Sequence, residues 1–160
     1  MSEKRAVARR EQGMRFDVTT GSGHAIVLDD GIGNAGARPI EMVLVALAGC
    51  TAMDVISILE KKRQVVTSYA VDTLAEERDE HPTIFTRVEV THAVEGPDPS
   101  LDAVRRAIEL SAWKYCPVSA MLCGGPVELY HRYRVTATDT GVVTEGEVVV
   151  LGPHYVPPTG

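Results

Sequence analysis

The most continuous apolar stretch of the chain runs from Ile40 to Met53, with Glu41 near its start and Asp54 just beyond its end. It falls short of the roughly twenty residues needed to cross a bilayer, so it predicts a buried helix rather than a membrane span. Pro39 suits a first helical position. Glu41 brings negative charge to the positive end of the helix dipole, and Lys61, Lys62 and Arg63 bring positive charge to the other end. Together these signals predict one long helix over roughly residues 39–63. Its middle, Met42–Gly49, is apolar all round, which is how a helix reads when protein surrounds it rather than when it lies on a surface. Such a spine obliges the rest of the chain to cover it.

The flanking segments read mostly as strands. Phe16, Val18 and Thr20 alternate onto one face, Gly21-Ser22-Gly23 forms a turn, and residues 24–28 continue, so a β-meander opens the chain. Strands are expected over 65–75 and 83–94, joined by the charged turn at residues 76–82. A second, amphipathic helix starts at Asp98-Pro99 and carries Leu101, Val104, Ile108, Ala112 and Tyr115 at helical spacing. Beyond Cys116-Pro117 a short apolar helix over residues 118–122 runs into Gly124-Gly125-Pro126 and a strand with Val127, Leu129, His131 and Tyr133. This order has no repeated βαβ units. It predicts an α+β fold with a mainly antiparallel sheet, in a single domain over residues 1–135. Residues 136–160 read as a C-terminal extension, with a strand at Glu147–Leu151 and a partly mobile end at Pro157-Pro158-Thr159-Gly160.

Composition narrows the function classes. A chain of 160 residues with 44% hydrophobic side chains supports one ordinary core, and its 5% aromatic content means Ala, Val, Leu, Ile and Met must fill it. The net charge of -6 argues against a nucleic-acid partner, and the basic start, Lys4, Arg5, Arg9 and Arg10, is only a local cluster. That start runs into Glu11, Gln12 and Gly13 rather than an apolar export segment, so neither export nor membrane association is expected. Three cysteines without a secretory signal point to reduced thiols in the cytosol, not a disulfide framework. The glycine-rich loop 29–36 lacks the spacing of a dinucleotide or phosphate loop, so no cofactor is expected. The five histidines lack zinc-site spacing with one another or with cysteine, and no metal site is expected. His92 and His131 read as satisfied core or interface residues.

The cysteines differ in setting. Cys50 lies inside the apolar helix, where burial dulls a thiol and the ordinary role is a small hydrophobe. Cys116 precedes Pro117 at a helix start, where unpaired backbone N–H groups favour a thiolate, and Lys114 adds positive charge nearby. Cys123 has no such setting and reads as structural. Asp54 shares a helix face with Cys50, and a carboxylate there opposes thiolate formation, so it reads as a hydrogen-bonding or interface residue. Two thiols on separate elements suit a peroxide-reducing pair, in which one becomes a sulfenic acid and the other condenses with it.

The run Arg38-Pro39-Ile40-Glu41-Met42 through Ala48-Gly49-Cys50-Thr51-Ala52-Met53-Asp54-Val55 resembles the central-helix signature of the osmotically inducible protein C and organic hydroperoxide resistance family. Leu110-Ser111-Ala112-Trp113-Lys114-Tyr115-Cys116-Pro117-Val118-Ser119 resembles its second-cysteine motif. The resemblance covers about residues 6–135 and is greatest to a less characterised branch with an Ala-Gly-Cys-Thr-Ala-Met-Asp motif. It implies a sheet wrapped around a long central helix in an intertwined homodimer. It also implies an organic hydroperoxide as substrate, Cys50 as the attacking thiol, Cys116 as the resolving thiol, and a small dithiol or other thiol as reductant. In the hydroperoxide enzymes an arginine held by a glutamate activates the attacking thiol. That glutamate directly follows the proline, a place taken here by Ile40. Glu41, one residue later, is the candidate in this chain. On an ideal helix it lies about half a turn around from Cys50 and roughly 10 Å or more along the axis, so it acts through an arginine or across a dimer interface if it acts at all. Arg9, Arg10, Arg15 and Arg38 are the candidate arginines. The alternative is a non-catalytic dimeric module that binds a hydrophobic small ligand, with incidental cysteines.

Overall fold

The computed structural model describes residues 3–152. The chain forms two compact units, one ending at Val45 and the other beginning at Ala46. Helix α1 (Pro39–Lys61) runs continuously from the first into the second.

The first unit is the expected meander. Strands β1 (Ala6–Gln12), β2 (Arg15–Thr20) and β3 (Ala25–Leu28) pair antiparallel in that order. The tight β1–β2 turn uses Gly13 at φ 54°, a conformation that costs glycine nothing. The glycine-rich loop that follows is organised by its own acids. The buried Asp29 carboxylate accepts from the N–H groups of Asp30 and Ala35 (2.8 and 3.0 Å), and Asp30 accepts from those of Ile32 and Gly33. A Cβ on Gly33 would run into the Asp29 carboxylate. The loop delivers Pro39 to the first turn of α1, where Glu41 reaches back to accept the Arg38 backbone N–H at 2.9 Å, half of a capping box.

The second unit holds a four-stranded sheet in the order β4 (Ser68–Glu77), β5 (Phe85–Gly96), β6 (Glu128–Ala137) and β7 (Val142–Leu151). Val88, Val90, His92 and Val94 of β5 and Leu129, His131, Tyr133 and Val135 of β6 alternate onto one buried face. The opposite face is solvated, with Glu89 paired to Arg87 at 2.6 Å and to Arg132 at 3.0 Å. The buried face packs on α1 and on α2 (Leu101–Leu110), and Val55, Leu59, Val94, Val104, Ile108 and Tyr133 belong to one cluster. Gly96 closes β5 where a Cβ would collide with the carbonyl oxygen of Val65.

Several expectations need correction. The protein has two sheets, not one, and β5 and β6 pair in parallel from Arg87↔Glu128 to Gly96↔Ala137. The reason is the connection. Helix α2, a π-helical turn (Ser111–Tyr115) and α3 (Pro117–Cys123) return the chain to the end of the sheet where β5 began, as a parallel pair requires. Helix α2 starts at Leu101, with Ser100 as its cap, not at Asp98-Pro99. The helix α1 is not covered all round within one chain. Its buried residues, Leu47, Thr51, Val55 and Leu59, form a single stripe at every fourth position, while Val45 is 56% and Met53 74% exposed. Counted as a whole helix it is also long and apolar enough to cross a membrane by length and composition, which the run 40–53 alone did not suggest. Val55 and Leu59 of that stripe belong to the core cluster, as the buried side of a core helix does. The last strand starts at Val142, ahead of the expected Glu147. The end expected to be mobile, 157–160, lies outside the described residues.

Candidate functional site

Cys50 is carried by the middle of α1, one residue ahead of the buried Thr51. Cys116 sits where the second helical segment must stop, because a residue before proline disfavours the helical region. Its φ and ψ are -75° and 103°, and its own N–H closes the π-turn onto the Ser111 carbonyl at 2.9 Å. Pro117 then opens α3, and Cys116 Sγ accepts from the Ser119 N–H at 3.4 Å. This is the helix-start setting anticipated for Cys116, with the thiol now only 3% exposed.

The second unit brings Cys50 and Cys116 together. Their sulfurs and a carboxylate oxygen of Asp54 all lie within 4.8 Å of one another. Asp54 is held in turn, because its Oδ2 accepts from Ser111 Oγ at 3.0 Å. Ser111 Oγ also lies 3.1 Å from Thr51 Oγ. A serine hydroxyl has one proton, and here Asp54 receives it, so Thr51 donates to Ser111. Both hydroxyl residues are fully buried. Sequence reasoning assigned Asp54 a hydrogen-bonding role but missed Ser111 and Thr51. The available signal was two hydroxyl residues at positions where the helical periodicity calls for apolar ones.

The electrostatics oppose a free thiolate at Cys50. Burial pushes its pKa up to about 11, the hydrogen bond with Cys116 adds to this, and the electrostatic influence of Cys116 and Asp54 acts in the same direction, against a lowering by the Val118 N–H. Burial, with Cys116 adding, likewise pushes the Cys123 thiol up to about 11. Glu41 is not in this cluster. In the first unit it binds the Arg38 guanidinium at 2.6 Å, and that contact together with the Arg38 backbone N–H holds its carboxyl below the usual range.

The two core histidines, unpaired by spacing in the sequence, meet in the fold. Tyr69 Oη lies 2.8 Å from His92 Nδ1, and His92 Nε2 lies 3.5 Å from His131 Nδ1, with the two rings stacked at 5.8 Å between centroids. Burial pushes His92 down to about 3, with His131 adding, and His131 down to about 4, so both rings are neutral. Among the described residues His131 Nε2 has no hydrogen-bond partner.

Residues 31–132 match the family model described as OsmC-like protein. The chain is 43% identical over 126 residues to protein YhfA of Escherichia coli (strain K12), covering 79% of this chain and 93% of that protein. A hypothetical protein from Aquifex aeolicus VF5 has a solved structure with a TM-score of 0.77 at 29% identity, over 85% of this chain and 98% of its own. An organic hydroperoxide resistance protein from Elizabethkingia anophelis superposes with a TM-score of 0.58 at 16% identity, over 84% of this chain and 96% of its own, which shows a shared fold.

Proposed function

The chain belongs to the OsmC-like protein family, and from that premise we propose that it is a thiol-dependent peroxidase that reduces organic hydroperoxides. The observation that carries this reading is the approach of the Cys50 and Cys116 sulfurs to within 4.8 Å, although they lie on different helices and far apart in sequence. A disulfide needs sulfurs about 2.05 Å apart, a closure within reach of side-chain rotation at a helix terminus. Fold likeness to hydroperoxide resistance proteins adds support.

The Cys50 thiolate attacks the terminal peroxide oxygen. The S–O bond forms as the O–O bond breaks, the alkoxide leaves and takes a proton to become an alcohol, and the sulfur is oxidised to sulfenic acid. Cys116 then attacks that sulfur, water is expelled, and a Cys50–Cys116 disulfide results. A small dithiol in the reducing cytosol restores both thiols by exchange. Met53, three residues beyond Cys50 on the helix, favours an alkyl substrate over hydrogen peroxide. Activation of so weakly acidic a thiol calls for a cation. Of Arg9, Arg10, Arg15 and Arg38, Arg38 is the one with an ion pair to a glutamate among the described residues, and the Arg38–Glu41 pair, too far along α1 to reach Cys50 of its own chain, takes this role across the interface of the expected homodimer. The closeness of the two sulfurs favours this chemistry over a ligand-binding module with incidental cysteines.

The test is intact mass after modest doses of cumene hydroperoxide. Reduced protein is expected to lose about two daltons as the disulfide forms. Cys50→Ser abolishes the reaction, Cys116→Ser stops at the sulfenic acid, and Glu41→Gln slows the first step. Absence of a Cys50–Cys116 disulfide in the wild-type chain ends the peroxidase reading.

A further inference from the structure

We propose that reduced Cys50, Cys116 and Asp54 form a binding site for a thiophilic, tetrahedral divalent cation of the zinc class. This inference does not depend on peroxidase chemistry. It uses the same two thiols in a different state, and it explains the third member of the cluster, which peroxide reduction leaves without a task.

The geometry comes first. In a tetrahedral zinc site with sulfur ligands near 2.3 Å and oxygen near 2.0 Å, ligand atoms sit about 3.5–3.8 Å apart. Three donors already within 4.8 Å of one another need to close by only about 1 Å. Two thiolates and one carboxylate are a donor set that zinc accepts, and three protein ligands leave a fourth position for water or an added thiol.

The surroundings are those of a supported metal site. Ligating carboxylates are ordinarily held by a further hydrogen bond, and Asp54 accepts from Ser111, which accepts from Thr51, all on packed helical segments. The Ser119 N–H is directed at the Cys116 sulfur, as suits a metal thiolate. The groups that bear on the Cys50 thiol are Cys116 and Asp54, each of them an anion when ionised. Without a cation these three donors oppose one another's ionisation, whereas a divalent ion reverses the sign of that interaction. As the metal binds, the two thiols release two protons to solvent and two S–metal bonds form. No electrons move. The bound thiolates are then held apart from peroxide-driven disulfide formation.

The experiment titrates full-length, reduced, chelator-washed protein with Co2+ and then Zn2+. One Co2+ per chain is expected, with sulfur-to-cobalt charge transfer in the near ultraviolet and the visible bands of a tetrahedral ion, all removed by Zn2+. Asp54→Asn should weaken Zn2+ binding at least about tenfold. The same variant should form the peroxide-driven disulfide faster, because a negative charge beside the thiol has gone. If Asp54→Asn does not fold, Ser111→Ala keeps all three donors and is expected to weaken Zn2+ by a similar factor. No charge-transfer band in the wild type, a band that survives Cys50→Ser, or an unchanged Zn2+ affinity in a folded Asp54→Asn protein would overturn the site. Because the peroxidase reading is scored separately by mass, either idea can fail alone.

Discussion

At the scale of single residues, the buried histidine pair makes the clearest demand on the protein. Both rings are neutral in the folded state because burial holds them at about 3 and about 4, while in the unfolded chain each titrates near 6.5. The sign follows from proton counts. Below about pH 6.5 the unfolded chain binds protons that the folded chain refuses, so stability is complete above that pH and falls as pH drops toward the folded values. Each ring contributes a slope approaching about 1.4 kcal/mol per pH unit in that window. Urea unfolding between pH 7 and 4.5 should show this loss, and His131→Gln should flatten it. The pair was not legible as a pair. Nothing in the spacing of His92 and His131 announces that parallel pairing of their strands, Val90 opposite His131, brings the rings together.

At the scale of elements, the segment from α2 to α3 decides where the second thiol lies. Helix α2 is pinned at its start by Ser100, whose hydroxyl accepts from the Ala103 N–H at 3.3 Å. Ser100→Ala should cost about 1 kcal/mol of stability in thermal or urea unfolding, without changing the mass shift caused by peroxide at temperatures where the protein is folded. At the far end of α2, the π-turn inserts extra winding before Pro117. The periodicity that correctly placed Val104, Ile108 and Ala112 inside therefore breaks down at Tyr115, which is 49% exposed. A sequence window counting 3.6 residues per turn does not detect such a turn, because its cause lies downstream, in a proline that ends the helix and a cysteine that must face α1.

At the scale of the whole molecule, the amount of apolar surface left open by one chain is the main clue. Met53 is 74% exposed and Met121 71%, each close in sequence to one of the paired thiols. Large apolar side chains left open beside paired thiols suit a place where protein associates. The expected assembly is a homodimer in which this surface is covered. Light scattering on the purified protein should give twice the mass of one chain, and Met53→Glu should shift the population toward monomer. A purely monomeric wild type at micromolar concentration would remove this part of the proposal.

Some of this was written in the chain itself. The long helix, the opening meander, the α+β class and the two cysteine motifs are local or periodic signals. Backbone preference, capping and the alternation of apolar side chains produce them whatever the rest of the chain does. Other features depended on which surfaces meet. The two separate sheets and the single buried stripe on α1 depend on packing, and the parallel β5–β6 pair, the Thr51–Ser111–Asp54 chain of hydrogen bonds and the closeness of Cys50 to Cys116 arise between residues about forty to sixty-six positions apart. Their positions follow from packing, which sequence periodicity does not encode. The apolar run at residues 40–53 therefore predicted that a helix would be buried, and only the tertiary structure decided how much of it one chain can bury.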